Sequence, residues 1–173
     1  MGISKNIFRY FPQPIFHYEL DNYKRHNEEL SKYIYDLQKK DPDGVARSNQ
    51  GGWHSKPFNL KDQQSAPYNF FMETQKYVVD VFKEYGWSYV PEKINLTEMW
   101  AIINKKNNFN IEHTHPNNYL SSAYYVKAPY GCGNIKFYNP NEVSRNRFPS
   151  ETKSTEFSAN LRSIEPKDCL LYT

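Results

Sequence analysis

Around residue 93 the hydrophobic period of this chain changes, and that change limits the folds open to it. Before it, two stretches repeat apolar residues at helical spacing. Leu30, Ile34 and Leu37 fall four and three apart on a charged run, which predicts a helix over roughly 22–40 capped by Asp21. Phe70, Thr74, Tyr77, Val78, Val81 and Tyr85 form the buried face of a second helix predicted over 67–85 and started by Pro67. After the change, segments 94–104, 119–128, 133–139, 155–163 and 168–172 are short, rich in β-branched or aromatic residues, and separated by Asn, Pro, Gly and Lys. Gly131-Cys132-Gly133, following Pro129, predicts a hairpin turn joining two antiparallel strands. Two helices ahead of a run of strands is an α+β order, with the helices covering one face of a β-sandwich.

The remaining segments add less. Residues 7–20 read as an extended opening interrupted by Pro12 and Pro14, and residues 41–66 as a polar, turn-rich loop. A chain of 173 residues is one domain by size, with 1–92 as mostly helical support and 93–173 as the strand core. The 15 Tyr and 11 Phe favour strands and broad packed faces. A net charge of +3, spread along the chain with only short runs such as Lys39-Lys40 and Lys105-Lys106, lacks the dense basic stripe of a nucleic-acid binder. Cys132 and Cys169 form no CxxC and read as reduced thiols of a cytoplasmic protein. Met1 to Asn6 lacks the apolar run of a signal peptide, Asn6 departs from the myristoylation pattern, and no stretch has the length of a membrane span.

The chemistry concentrates in Asn110-Ile111-Glu112-His113-Thr114-His115-Pro116-Asn117. Residues two apart on a strand share a face, with Cα atoms roughly 6–7 Å apart. Two imidazoles so placed can converge on one ion, with metal–nitrogen bonds of about 2.1 Å. Pro116 would end that strand and set the pair at its mouth. Two histidines beside a turn are also consistent with an ordinary surface. Glu112 adjoins His113 but takes the opposite strand face, so it stands outside the predicted ligand set. Trp53 and His54 sit in a glycine-flexible stretch that could roof the site. His54 reads first as an ordinary loop histidine, and His17 and His26 as surface or helix residues.

After the histidine pair come Tyr119-Leu120-Ser121-Ser122-Ala123-Tyr124-Tyr125-Val126-Lys127, a glycine turn, and Asn134-Ile135-Lys136-Phe137-Tyr138. This order resembles the 2-oxoglutarate/iron oxygenases of the prolyl-hydroxylase type, which show an H-x-D motif, a loop, a strand ending in Tyr-Tyr-Leu, and a glycine turn before the next strand. More closely, the chain resembles a family of oxygenases of marine bacteria and their phages. It shares with them the opening Phe11-Pro12-Gln13-Pro14 and the Ser48–Ser55 stretch Ser-Asn-Gln-Gly-Gly-Trp-His-Ser. It also shares a block running from Trp100 through Asn104, His113, His115, Pro116, Asn117 and Ser122 to Tyr125.

The resemblance implies a double-stranded β-helix, or jelly roll, with two N-terminal helices packed on one sheet. It implies Fe(II) and 2-oxoglutarate as cofactors, and a small-molecule or peptide substrate rather than nucleic acid or membrane. His113 matches the first histidine of the iron triad. His115 stands where the wider superfamily has Asp or Glu, a departure that takes one negative charge from the ligand set. Tyr125 matches the tyrosine whose hydroxyl would bind the distal carboxylate of 2-oxoglutarate. Asn110, Asn117, Ser121 and Trp53 are candidates for the substrate side or the surroundings of the metal. The family's third ligand, a distal histidine, and its carboxylate-clamping arginine follow a strand like Glu165–Tyr172. No histidine follows His115, and Arg145, Arg147 and Arg162 come too early to match the clamp. The expectation is therefore a C-terminally truncated form of that domain. Two rivals are a cupin-like three-histidine metalloenzyme and a non-catalytic jelly-roll binding protein. The cupin glutamate is missing, since Tyr119 and Leu120 occupy its positions.

Overall fold

Both helices form where the apolar spacing places them, within a residue at each end. In the computed structural model, which describes residues 7, 11–141, 145–146 and 152–173, α1 spans Tyr23–Lys40 and α2 spans Ala66–Glu84. Arg147 lies outside the described residues. Helix α2 is well begun: Ser65 is extended (φ −71°, ψ 150°), its Oγ accepts from Tyr68 N at 3.3 Å, and Pro67 sits in the first turn. Helix α1 is not capped by Asp21. Asn22 holds the cap position at φ −97°, ψ 27°, outside the extended region from which a cap side chain reaches back, and makes no such bond. At its other end Lys39 and Lys40 oppose the helix dipole.

Nine short strands accompany the helices: β1 (His17–Glu19), β2 (Asn49–Gln50), β3 (Trp53–His54), β4 (Ile102–Ile103), β5 (Phe109–Asn110), β6 (Ala123–Tyr124), β7 (Ile135–Tyr138), β8 (Leu161–Ile164) and β9 (Leu170–Tyr172), counted among the described residues. They pair antiparallel in small sheets, β1-β9-β6 with three strands and β2-β5, β3-β4 and β7-β8 with two each. β4, β6, β7 and β9 lie inside longer predicted strands and β1 inside the extended opening, β8 runs one residue past its predicted segment, and β2, β3 and β5 fall outside every predicted strand. The Gly131–Gly133 turn exists, with Cys132 N donating to the Pro129 carbonyl at 3.0 Å. It does not join a hairpin, because β6 pairs with β9 and β7 with β8.

The sheet β1-β9-β6 separates two layers. Tyr18, paired with Leu171, faces the helices, and Leu171 joins Leu20, Leu30 and Phe70 in the core, with Tyr77 and Tyr124 packed around them. The alternate residues His17, Glu19, Leu170 and Tyr172 face the other way. There the β7–β8 hairpin approaches, bringing Phe137 within 6.1 Å of Tyr172 between ring centroids. Leu170 and Tyr172 are as buried as Leu171, so both faces of β9 are covered.

Three further expectations are corrected. Tyr85 is exposed rather than buried, because α2 ends at Glu84 and the ring stacks on Trp87 at 4.3 Å. His26 is on α1 but not at the surface; it is 1% exposed, edge-on to Phe70. The loop over 41–66 contains β2 and β3, which run antiparallel to residues 101–111. Ser55 N donates to the Ala101 carbonyl and Ile111 N to the Ser48 carbonyl, each at 2.9 Å, so one interrupted ladder extends from Ser55 to Ser48. No helix among the described residues is long and apolar enough to cross a membrane.

Candidate metal centre

The ladder explains the Ser48–Ser55 stretch residue by residue. Asn49 Oδ1 accepts from Arg47 N at 2.8 Å while its Nδ2 donates to the Gly52 carbonyl at 2.7 Å, fixing the turn. Gly51 adopts φ +74°, a left-handed conformation that suits glycine. Trp53 is buried, and its indole N–H donates to the Asp41 carbonyl at 2.8 Å. Ser55 Oγ accepts from Ala101 N at 2.9 Å. Trp53 and His54 are therefore strand residues in a rigid wall, not a flexible roof.

At the other end of the ladder β5 stops at Asn110, and Ile111 makes the last pairing bond to Ser48. The histidine pair lies beyond it, in the connection that leads to the turn at Pro116. The pair is thus not on a strand ended by Pro116: the last ladder bond is Ile111 N to the Ser48 carbonyl, and upstream of it Arg47 N is taken by Asn49 Oδ1 and Val45 N by the His54 carbonyl. The rings nevertheless come together. The His113 and His115 centroids are 4.9 Å apart at 80°. His113 Nδ1–H donates to the Ile111 carbonyl at 2.7 Å; a carbonyl only accepts, so Nε2 keeps its lone pair. His113 is exposed and His115 half-buried against Trp100, whose ring centroid is 5.7 Å away. Burial, and then the neighbouring His113, hold the His115 pKa below the usual histidine value. Both effects favour the neutral imidazole that a metal requires.

Trp100 also stacks on His54, with centroids 5.7 Å apart and planes 12° apart. His54 is buried, and its Nδ1–H donates to the Ser55 carbonyl at 2.7 Å. An indole thus contacts both His54 and His115. The sequence carried Trp100 within a shared block but gave it no role; the pairing of β3 with β4 supplies one.

The other candidates are placed as follows. Glu112 is ion-paired to Arg145 at 2.9 Å, which engages its carboxylate. Arg145 lies over the Tyr138 ring at 5.2 Å. Asn110 pairs with Asn49 across β2-β5. Asn117 takes φ +64° in the exposed turn after Pro116, and the neighbouring Asn118 bridges the Pro116 carbonyl and Thr97 Oγ1. Ser121 is exposed ahead of β6. Tyr124 points to the helices and donates to Asn27 Oδ1 at 2.6 Å. Tyr125 takes the opposite face, edge-on to Tyr172 at 6.2 Å, and burial pushes its hydroxyl up to about 12. Among the described residues, no three His, Cys, Asp or Glu side chains gather closely enough to hold a metal.

Residues 98–172 match the family model described as "Putative 2OG-Fe(II) oxygenase". The matched stretch contains Trp100, His113, His115 and Tyr125 and leaves both helices outside it. No match was found among curated proteins or among solved structures.

Proposed function

We propose that this chain is a non-haem Fe(II)/2-oxoglutarate-dependent oxygenase, a single domain whose iron is held by His113 and His115. The observation that carries this reading is the geometry of the pair. Two adjoining imidazoles, one with its tautomer fixed by the Ile111 carbonyl, lie within the stretch similar to such oxygenases. The donor set fits iron in part: imidazole nitrogens suit it, and two protein ligands would leave the remaining positions open. The layered order of helices, the sheet β1-β9-β6 and the hairpin β7-β8 supports a jelly-roll-like frame for that centre.

With 2-oxoglutarate, iron bound there would supply O2-driven hydroxylation of a substrate C–H bond, with decarboxylation of the oxo acid. The chain's residues would do the rest. Trp100 shields one side of His115 from water. Tyr125, with its hydroxyl protonated at neutral pH, would donate to the distal carboxylate of 2-oxoglutarate. The substrate would be a small molecule or a peptide.

A second reading, a non-catalytic binding protein on the same frame, is favoured by the lack of a third clustered ligand among the described residues. His54 supports the three-histidine rival poorly, because its ring packs on Trp100 instead of joining the pair.

Anaerobic Fe(II) titration with succinate release as a second readout separates these readings. The expected outcome is weak, saturable Fe(II) binding with little succinate, since ligand count largely sets affinity. His113→Ala and His115→Ala should each lower the Fe(II) affinity at least tenfold. Binding that survives both substitutions would remove the pair from the centre, and no binding at all would favour the non-catalytic reading.

A further inference from the structure

Apart from the histidine pair, a cleft of about 470 Å3 opens beside β1 and β9, within the size range of small-molecule sites. Strand parity builds it. His17 and Glu19 of β1 and Leu170 and Tyr172 of β9 line one side, on the sheet face opposite Tyr18 and Leu171. Arg162 and Ile164 of β8 line the other, and Glu165 and Lys167 complete it on the way back to β9. Leu170 and Tyr172 are buried and make an apolar floor with Ile164, while the His17 ring stacks on Tyr172 at 5.5 Å.

The cleft gathers side chains of both charges. Lys39, Lys76 and Arg25 each pair with a carboxylate three or four residues away on their own helix. Arg162, Lys167, Glu19 and Glu165 form no ion pair or side-chain hydrogen bond among the described residues, although all four line one cleft. Two cations and two carboxylates cancel. A dicarboxylate would set its charges against Glu19 and Glu165, and a simple amine would meet Arg162 and Lys167. A ligand carrying one charge of each sign matches both.

We propose that this cleft binds a free aliphatic α-amino acid. Arg162 takes the carboxylate, for which a planar guanidinium offers two parallel donors. Glu19 and Glu165 take the ammonium, and the aliphatic side chain lies on Leu170, Ile164 and Tyr172. The cleft shares a sheet face with Tyr125, whose ring meets Tyr172, but no residue assigned to the amino acid is one assigned to iron or 2-oxoglutarate.

Titration of the full chain with L-leucine, without metal or 2-oxoglutarate, tests it by calorimetry and by backbone amide shifts. The expected result is saturable binding with shifts confined to β1, β8 and β9. Arg162→Gln and Glu19→Gln should each weaken it at least tenfold, with unchanged circular dichroism. 4-Methylpentanoate and 3-methylbutylamine, each lacking one charge, should bind at least tenfold more weakly than leucine. Three results would overturn the assignment: no saturation, equal binding of 4-methylpentanoate, or leucine affinity unchanged in both variants. Because iron and 2-oxoglutarate are absent, failure here leaves the proposed metal centre untouched.

Discussion

Tyr124 and Tyr125 show how much one residue of register decides. The Ser-x-x-Tyr-Tyr stretch could be read with either tyrosine toward the helices; the bond from Tyr124 to Asn27 resolves it, leaving Tyr125 on the Tyr172 side. Tyr124→Phe should cost about 1–3 kcal/mol, the range for stranding a buried polar group, because Asn27 Nδ2 already lacks a partner. Urea unfolding with an unchanged slope would check it, and a loss near zero would mean that water reaches Asn27. His26 gives a pH prediction. Arg25 Nη2 lies 3.3 Å from its Nε2, and Nδ1 is buried without a partner. Burial first, then Arg25, lowers its pKa, while Glu73 and Glu29 oppose the shift. The unfolded chain therefore takes up the proton more readily. Stability should be full above about pH 6.5, fall as pH drops below that, and level off beneath the folded pKa. Thermal melts at two pH values should show a smaller acid loss in His26→Gln than in the parent. An equal loss in both would assign the acid sensitivity to other groups. Sequence could not reveal this histidine's burial, since its neighbours Arg25 and Asn27 read as a polar helix face and the contact with Phe70 comes from α2.

At the level of elements, the helices were legible because each repeats its apolar face over several turns, and local sequence alone determines that period. The strands were less so. With two to four residues each they carry almost no period of their own, and β2 and β3 read as a turn because Asn49, Gly51 and Gly52 dominate that stretch. Their partners lie about fifty to sixty residues away, in a register that no local pattern announces. The H-x-H pair was legible as a pair, but its strand was not, because β5 ends before it. Gly44 tests whether this region is rigid. It adopts φ +60°, and a Cβ there would lie 2.4 Å from the His54 carbonyl oxygen and 2.8 Å from Trp53 Nε1. Gly44→Ala should therefore carry the left-handed cost of about 1–2 kcal/mol and a backbone clash as well. Gly131→Ala, at φ +76° with open space around it, should carry only the first. Paired denaturation curves would measure the difference. Equal losses would mean that the strand β3 yields, and that Trp53 and His54 are looser than their contacts imply.

At the scale of the molecule, the helical and strand-rich halves are threaded through each other. The first strand, β1, pairs with the last, β9, which also pairs with β6, while β2 and β3 from the helical half pair with β5 and β4. Three of the four sheets take strands from both halves, so residues 1–92 and 93–173 should unfold together as one domain. Leu171 is the point at which this can be tested: it belongs to the central strand, is 6% exposed, and packs with Leu20, Leu30 and Phe70. Leu171→Ala should cost about 2–5 kcal/mol, the range for a buried leucine. The loss should be the same whether followed by far-ultraviolet circular dichroism, dominated by α1 and α2, or by the fluorescence of Trp53, Trp87 and Trp100. Amide exchange should rise together in α1, α2 and β3–β4, since opening the core frees α1, whose end at Asp41 accepts from Trp53 of the ladder. If fluorescence and dichroism instead gave separate midpoints, with the ladder outlasting the helices, the chain would behave as two cooperative units. The ladder that positions Trp100 and the histidine pair would then owe little to the core beneath it.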